Sequence, residues 1–181
     1  VLFRSEDAKM LVEETVYKGF FEMKRYQAKY KLFDGGWSKV VSREMFERGH
    51  AVAVLPYDPI TEEFVLIEQF RLGAMATSNK PWMIEVIAGM IEPGEDLDDV
   101  CHRESFEEAG ISLTHLQKVM SYLSSPGGTT ERLHIFMAKT DASLRDLTEL
   151  FGSTGSIYQF FSEHIRPLIR SNAYPYQWKS N

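Results

Sequence analysis

A short acidic segment, Glu92 to Glu108, constrains this chain more than any other feature of its sequence. Its seventeen residues include eight acids and one arginine, Arg103, which gives the segment a net charge of −7. The whole chain carries −6, so all the other residues together carry +1. The acidity is therefore a local feature, and it needs a local explanation.

The second half of this segment predicts a helix over Asp96 to Ala109. The stretch contains no Gly or Pro, begins with an acid that suits the positive end of the helix dipole, and ends at Gly110. A helical wheel places three glutamates on the stripe that the apolar residues mark as buried, namely Glu104, Glu107 and Glu108. Buried carboxylates repel one another, and these also stand at the negative end of the helix dipole. A divalent cation with oxygen ligands, such as Mg²⁺, would relieve both penalties, and a solvated acidic face is the alternative.

The spacing of residues around the helix is a second signal. Gly89 is followed after five residues by Glu95, and Glu95 is followed after seven residues by the pair Arg103-Glu104. Glu107, Glu108 and Gly110 complete the string. This string resembles the Nudix box, the signature of a family that hydrolyses nucleoside diphosphates linked to another moiety. Ser105 departs from the pattern, because the family prefers an aliphatic residue there.

The resemblance implies an α/β fold, a Nudix-like α/β/α sandwich with a mixed sheet, preceded here by an N-terminal antiparallel β-hairpin region. It also implies a divalent metal, Mg²⁺ with Mn²⁺ as an alternative. By the resemblance, Glu104, Glu107, Glu108 and the carbonyl of Ala88 are expected to contact metal. Arg103 is expected to pair with these carboxylates and orient them.

The resemblance extends beyond the box. Four stretches resemble the branch of the family that cleaves ADP-ribose: Phe46 to His50, Leu66 to Arg71, the lead-in Glu85 to Met90, and Ser125 to Arg132. This resemblance covers about residues 12 to 141. It implies that the substrate-binding residues are Phe20 and Phe21 at the adenine, Arg43 and Arg71 near phosphates and ribose, Met90 against the substrate, and Ser125, Pro126 and Gly127 along the terminal ribose. Glu131 is expected beside that ribose and is one candidate for the general base.

The expected reaction is the Mg²⁺-dependent cleavage of ADP-ribose, or a related nucleoside diphosphate compound, to AMP and ribose 5-phosphate. Relatives carry a downstream acidic loop that supplies a base, whereas the corresponding stretch here, Leu150 to Tyr158, contains no acid. A catalytically impaired nucleotide-binding module is therefore an alternative. An acidic protein-interaction surface is a third, although it does not explain glutamates on an apolar stripe.

Alternating apolar residues predict strands on both sides of the box. Thr15 to Gly19, Met23 to Lys31 and Trp37 to Met45 form the predicted N-terminal hairpin region, with a turn at Asp34-Gly35-Gly36. The further predicted strands are His50 to Tyr57, Glu63 to Arg71, Trp82 to Ile87, Lys118 to Leu123 and Leu133 to Lys139, and Ala74 to Pro81 is predicted as a loop. From Asp141 onward the pattern predicts helix and loop.

The chain is accordingly divided into an N-terminal β region (1–45), a Nudix core (46–141) and a C-terminal tail (142–181) that resembles nothing recognised. The first part is rich in aromatic residues, more than a two-stranded unit can bury, which together with the resemblance predicts a homodimer.

Composition bounds the remaining partners. A net charge of −6 argues against nucleic-acid binding. The longest apolar run, Val86 to Ile91, is too short to cross a membrane, and no leader pattern opens the chain. The single cysteine, Cys101, cannot form an internal disulfide, so a cytoplasmic location is expected.

Overall fold

The computed structural model describes residues 2–141 and 156–160 of the 181-residue chain. After a short 3-10 turn at Ser5–Asp7, the strands and helices follow one another along the chain. They are β1 (Ala8–Lys18), β2 (Glu22–Tyr30), β3 (Val41–Glu47), β4 (Ala51–Asp58), β5 (Glu63–Phe70), α1 (Leu72–Thr77), β6 (Trp82–Glu85), β7 (Ile87–Met90), α2 (Leu97–Ala109), β8 (Thr114–Leu123), β9 (Arg132–Lys139) and β10 (Ser156–Phe160).

The elements group into two compact units. The first unit combines Val1–Ala51 with Ser121–Leu133, and the second combines Val52–Met120 with His134–Asn181. The boundary between the units passes through strands β8 and β9, so each of these strands has residues in both units. The division into 1–45, 46–141 and 142–181 stays a prediction.

The first unit contains a three-stranded antiparallel sheet in the order β1-β2-β3. The β2–β3 connection turns at Gly35 and Gly36, whose φ angles of 92° and 77° favour glycine. This confirms the predicted antiparallel hairpin region and its turn. The third strand begins at Val41 rather than at Trp37, because the Ser38 hydroxyl accepts the Tyr30 amide and takes the place of a ladder bond.

The second unit is built on a seven-stranded sheet ordered β10-β5-β4-β9-β8, with β6 paired to β5 and β7 paired to β4. Strand β5 is antiparallel to β4, β6 and β10. Strands β4 and β9 run parallel, because their starts meet through His50 and Arg132 and their ends through Tyr57 and Thr140. The sheet is therefore mixed, as the predicted fold class requires.

Helix α2 packs its buried face into the core of the second unit. The buried cluster joins residues of β4, β5, β7, β9 and α2, including Val54, Ile67, Ile87, Val100 and Phe136. The Asp96 side chain accepts the Asp98 amide at 2.9 Å and caps the start of the helix. Gly110 ends it in the left-handed conformation with φ 62°. The predicted helix is confirmed.

Three local predictions are wrong. The predicted loop from Ala74 contains part of helix α1, which ends where the Ser78 amide donates to the Ala74 carbonyl. The single strand predicted from Trp82 to Ile87 is two strands, β6 and β7, which pair with different neighbours. Residues 156–160 form strand β10 instead of helix or loop, because β5 offers them an antiparallel partner.

The predicted tail otherwise lies outside the described residues. No helix in the described part of the chain is long and apolar enough to cross a membrane.

Candidate active site

Glu108, in the last turn of α2, is held through both of its carboxylate oxygens. One of its oxygens accepts from the Gln69 amide nitrogen at 2.8 Å, and the other accepts from the Ala88 backbone amide at 3.2 Å. Burial raises the pKa of Glu108, and the bonds from Gln69 and Ala88 oppose that rise. Gln69 of strand β5 and Ala88 of strand β7 thus hold this carboxylate in place.

Glu104 stands one turn earlier and lies directly over Gly89. A β-carbon added to Gly89 would come within 1.8 Å of a Glu104 carboxylate oxygen. Only glycine leaves this space, which explains why the string begins with it. Burial raises the pKa of Glu104; Arg103 opposes the rise, and Glu108 and Glu107 add to it. Its Oε1 accepts from Arg103 at 2.7 Å, whereas its Oε2 makes no hydrogen bond within residues 2–141.

Arg103 donates hydrogen bonds to three glutamates of the acidic segment. Its guanidinium donates to both carboxylate oxygens of Glu95 at 3.2 Å, to Glu104 at 2.7 Å and to Glu107 at 3.4 Å. It also reaches the Met90 carbonyl at 3.4 Å. Burial tends to lower the pKa of Arg103, but the hydrogen bonds that it donates to Glu95 and Glu104 raise the pKa more. The expected pairing of Arg103 with the carboxylates is present.

Glu95 lies in the loop before α2 and is one of the carboxylates that Arg103 contacts. Its carboxylate also accepts the Glu92 amide at 2.8 Å, and that bond, ahead of the contribution of Arg103, lowers the pKa of Glu95. Glu95 is therefore an ionised partner of Arg103.

Arg71, from the end of β5, lies in the same unit and forms a bidentate pair with Glu85. Its Nε and Nη2 donate to the two carboxylate oxygens at distances between 2.7 and 3.1 Å. The Glu85 bond raises the pKa of Arg71, and the charge of Glu108 adds to that rise. Arg71 therefore contributes positive charge near Glu108.

The wheel placed Glu107 on the buried stripe, but the structure leaves 57% of its side chain exposed. Glu104 is 12% exposed by the same measure, and Glu108 is partly buried. A wheel gives angles around one helix and cannot show how far neighbouring strands reach along it. Burial of Glu104 and Glu108 argues against a fully solvated acidic face.

The residues of this cluster fit a divalent ion by their chemistry. Glu104 and Glu108 offer hard carboxylate oxygens with raised pKa values, one of those oxygens has no hydrogen bond, and Gly89 keeps the space clear. Among the described residues, no three acidic, histidine or cysteine side chains form a ready-made metal site. A bound ion would therefore compete with Arg103 for Glu104 and with Gln69 for Glu108.

The first unit contains the predicted substrate residues other than Arg71 and Met90, which belong to the second unit. Phe20 and Phe21 make an edge-to-face contact at 4.7 Å, and Phe20 is 88% exposed. Arg43 and Pro126 line one cavity of about 400 Å³. The Ser125 carbonyl accepts the amides of Gly128 and Thr129, which closes the turn that contains Pro126 and Gly127.

Glu131 is held in the first unit by Ser124 at 2.7 Å and by Arg48 at 3.2 Å. These contacts occupy both carboxylate oxygens. The substrate, catalytic and metal roles of all these residues stay predictions.

Several residues that hold other side chains in place in the two units were not singled out from the sequence. Gln69, on strand β5, holds Glu108 of helix α2, and Glu85, on strand β6, holds Arg71. Glu47 accepts from Tyr26 at 2.7 Å and from the Thr130 hydroxyl. Burial, followed by the Glu47 bond, raises the pKa of Tyr26 to about 12. No local signal marks such long-range pairs, because each joins segments far apart in the chain.

The NUDIX domain model matches residues 47–164. The ADP-ribose pyrophosphatase of Escherichia coli (strain K12) is 44% identical over 178 residues, covering 98% of this chain and 82% of that protein. The ADP-ribose pyrophosphatase of Haemophilus influenzae (strain Rd) is 46% identical over 144 residues, covering 78% and 66%.

A crystal structure titled ADP compounds hydrolase shares the fold, with a TM-score of 0.66 at 19% identity, covering 92% of this chain and 84% of that one. Neither the relatives nor the fold favours the catalytically impaired alternative. The family match extends beyond residue 141, where the sequence pattern alone was not recognised. By its signature residues, its fold and its relatives, the chain belongs to the NUDIX family and is a Nudix hydrolase.

Proposed function

We propose that this chain hydrolyses ADP-ribose, in the presence of a divalent metal ion, to AMP and ribose 5-phosphate. The substrate is supported by the 44% identity to an ADP-ribose pyrophosphatase over 98% of the chain. The chemistry is supported by one observation above all. The carboxylates of Glu104 and Glu108 are partly buried on one face of α2, beside the backbone of Ala88 and Gly89.

Glu104 and Glu108 hold the metal in this proposal, with the Ala88 carbonyl and the exposed Glu107 as further contacts. A bound divalent ion would neutralise the diphosphate and lower the pKa of a water molecule. We propose Mg²⁺, with Mn²⁺ as the alternative, because both accept carboxylate oxygens.

The protein's own contribution is to position and hold charge. Gln69 and the Ala88 amide keep Glu108 in place, and Arg103 keeps Glu104 and Glu95 in place. Arg71 is oriented by Glu85, and we propose that it contacts a substrate phosphate, since its Nη1 makes no hydrogen bond within the described residues.

The remaining substrate contacts are proposed from the first unit and from β7. Phe20 and Phe21 offer aromatic faces and edges to the adenine, and Arg43 offers a cation to phosphate. We propose that the Ser125, Pro126 and Gly127 turn follows the terminal ribose, and that Met90 packs against the substrate. Glu131 is one candidate for the general base.

The exposed apolar side chains of β1 support a homodimer. Met10 is 61% exposed and Tyr17 is 67% exposed, and the whole of β1 is exposed along its length. Apolar surface of this extent is typical of an interaction site. We propose that a second copy covers it. Light scattering at micromolar concentration should give twice 20.8 kDa, and a mass of 20.8 kDa would contradict the dimer.

We also propose a cytoplasmic location, because the single cysteine, Cys101, is buried and free.

A product assay tests the proposed activity. The chain is incubated with ADP-ribose and Mg²⁺. NADH, FAD and a sugar nucleotide are tested as alternative substrates in separate reactions. We expect AMP and ribose 5-phosphate in equal amounts, with the highest kcat/KM for ADP-ribose. A higher kcat/KM for another compound would change the substrate, and no product from any of them would reject the activity.

A further inference from the structure

Three lysines of the N-terminal sheet surround one tryptophan. The ammonium nitrogens of Lys9, Lys29 and Lys31 lie 4.9, 5.3 and 4.8 Å from the centre of the Trp37 ring. We name these four residues the lysine–tryptophan cluster. Three positive charges around a single ring are unusual, because like charges this close repel one another.

The backbone explains why the lysines converge. Lys9 and Lys29 are directly opposite partners in the antiparallel β1–β2 ladder. Lys31 is two residues after Lys29, so both side chains leave the same face of the sheet. Lys31 also forms an isolated bridge with Trp37, which brings the ring to that face.

No carboxylate in the described part of the chain compensates this charge. Within the described residues, none of the three lysines lies within 4.0 Å of an acidic side chain, although two of them are half-buried. Three other cations of the same sheet are paired: Lys18 with Glu22, Lys24 with Glu13, and Arg25 with both Glu14 and Glu44. The ring of Trp37 supplies only a weak electrostatic substitute for a counterion.

The cluster lies on the opposite face of the sheet from the cavity that Arg43 lines. That cavity contains Met10 and Ala28, which are the sequence neighbours of Lys9 and Lys29. Successive side chains of a strand point to opposite faces, so the two features are separate. The lysine–tryptophan cluster is therefore on a different face of the sheet from the cavity that the proposed substrate residue Arg43 lines.

We propose that the lysine–tryptophan cluster is a second binding site, specific for a small anion that carries several phosphates in a row. Lysine binds phosphate as a point charge, and the three ammonium groups here are gathered around the Trp37 ring, each within 5.3 Å of its centre. A linear polyphosphate carries several negative charges along its length, so we expect it to contact more of these ammonium groups at once than a single phosphate does.

The probe is inorganic tripolyphosphate, titrated into the full chain by calorimetry in the presence of EDTA, so that no metal loads the acidic helix. We expect one saturable site that binds tripolyphosphate at least tenfold more tightly than inorganic monophosphate. The triple variant Lys9→Gln, Lys29→Gln, Lys31→Gln should weaken tripolyphosphate binding at least tenfold.

A matched variant removes the same charge elsewhere. Lys39, Lys80 and Lys118 are exposed and form no described ion pair, so their triple change to Gln should alter affinity less than twofold. If both triple variants weaken binding equally, the effect is bulk charge and the site is refuted.

Absence of saturable binding in the unmodified chain would also refute it. Should the cluster variant fail to fold, Lys9→Gln alone, on an edge strand, should still weaken binding about threefold, and unchanged affinity would contradict the proposal.

Discussion

The two units of the chain bury their side chains in opposite ways. Every residue of the buried hydrophobic cluster, from Val52 to Ala138, belongs to the second unit, which also carries the acidic helix. In the first unit, strand β1 is exposed along its whole length, and Phe20 and Phe33 are more than 80% exposed. The acidic helix thus rests on a packed scaffold, whereas the N-terminal sheet keeps apolar and cationic groups available to partners. Chemistry that depends on exact positions is expected in the first setting, and recognition in the second.

The largest expected difference between the units concerns carboxylates. Glu104→Gln and Glu108→Gln should each lower kcat/KM for ADP-ribose at least about 100-fold, because an amide serves poorly as a ligand of a hard divalent ion. Glu44→Gln in the N-terminal sheet removes a 60% exposed carboxylate and should change kcat/KM less than twofold. Full activity in both folded active-site variants would show that the two glutamates do not hold the metal.

Gly89 tests whether the packed scaffold sets the position of Glu104. Gly89→Ala should lower kcat/KM at least about tenfold, because the new methyl group would occupy the place of the Glu104 carboxylate. Gly73→Ala is the matched control, since an added β-carbon there meets nothing within 4 Å. Steady-state kinetics and melting temperatures of both variants give the answer. Equal activity in the two would mean that Glu104 moves aside without cost.

The pH dependence of stability should come from the acidic helix. Burial raises the pKa of Glu104 and Glu108 above the ordinary value of 4.5. Their contribution to the free energy of unfolding is therefore fully present below pH 4.5 and is lost as the pH rises through the folded-state pKa values. In EDTA, the melting temperature of the unmodified chain should fall from pH 4.5 to pH 7.5 relative to that of the Glu104→Gln, Glu108→Gln double variant. A constant difference between the two proteins would contradict this origin.

The smallest expected effect concerns buried hydroxyl groups. The Ser105 hydroxyl is fully buried and has no hydrogen-bond partner among the described residues, whereas the Ser124 hydroxyl donates to Glu131. Ser105→Ala should stabilise the protein by about 1 kcal/mol, since it removes an unsatisfied polar group and adds helix propensity. Thermal unfolding should show a rise of roughly 2–4 °C, against no gain for Ser124→Ala. A lower melting temperature for Ser105→Ala would mean that the hydroxyl is satisfied in solution.

Local patterns were enough to predict much of the fold. Helix α2 was predicted to within one residue, because its cap, its glycine stop and its lack of breakers are all local. Strands β4, β5 and β9 were likewise predicted to within a residue or two from alternation and from Gly and Pro. Strand β10 was missed, since its formation depends on pairing with β5 rather than on its own pattern.

The site was predictable in its residues and less so in its contacts. The spacing and the resemblance identified Glu104, Glu108 and Arg103, and the structure brings these three together on α2. The hydrogen bond between Gln69 and Glu108 joins positions 39 residues apart, so no local pattern could indicate it. The exposure of Glu107 depends on how the sheet covers the helix, which a wheel does not contain.

The central claim is that the partly buried glutamates of α2 bind a divalent cation, and Mn²⁺ binding followed by electron paramagnetic resonance tests it most directly. Free Mn²⁺ gives a strong signal that is lost on binding, so the bound fraction can be titrated without substrate. We predict saturable binding to the unmodified chain and at least tenfold weaker binding to the Glu104→Gln, Glu108→Gln double variant, with Glu44→Gln unchanged. Equal Mn²⁺ affinity in all three proteins would contradict the claim.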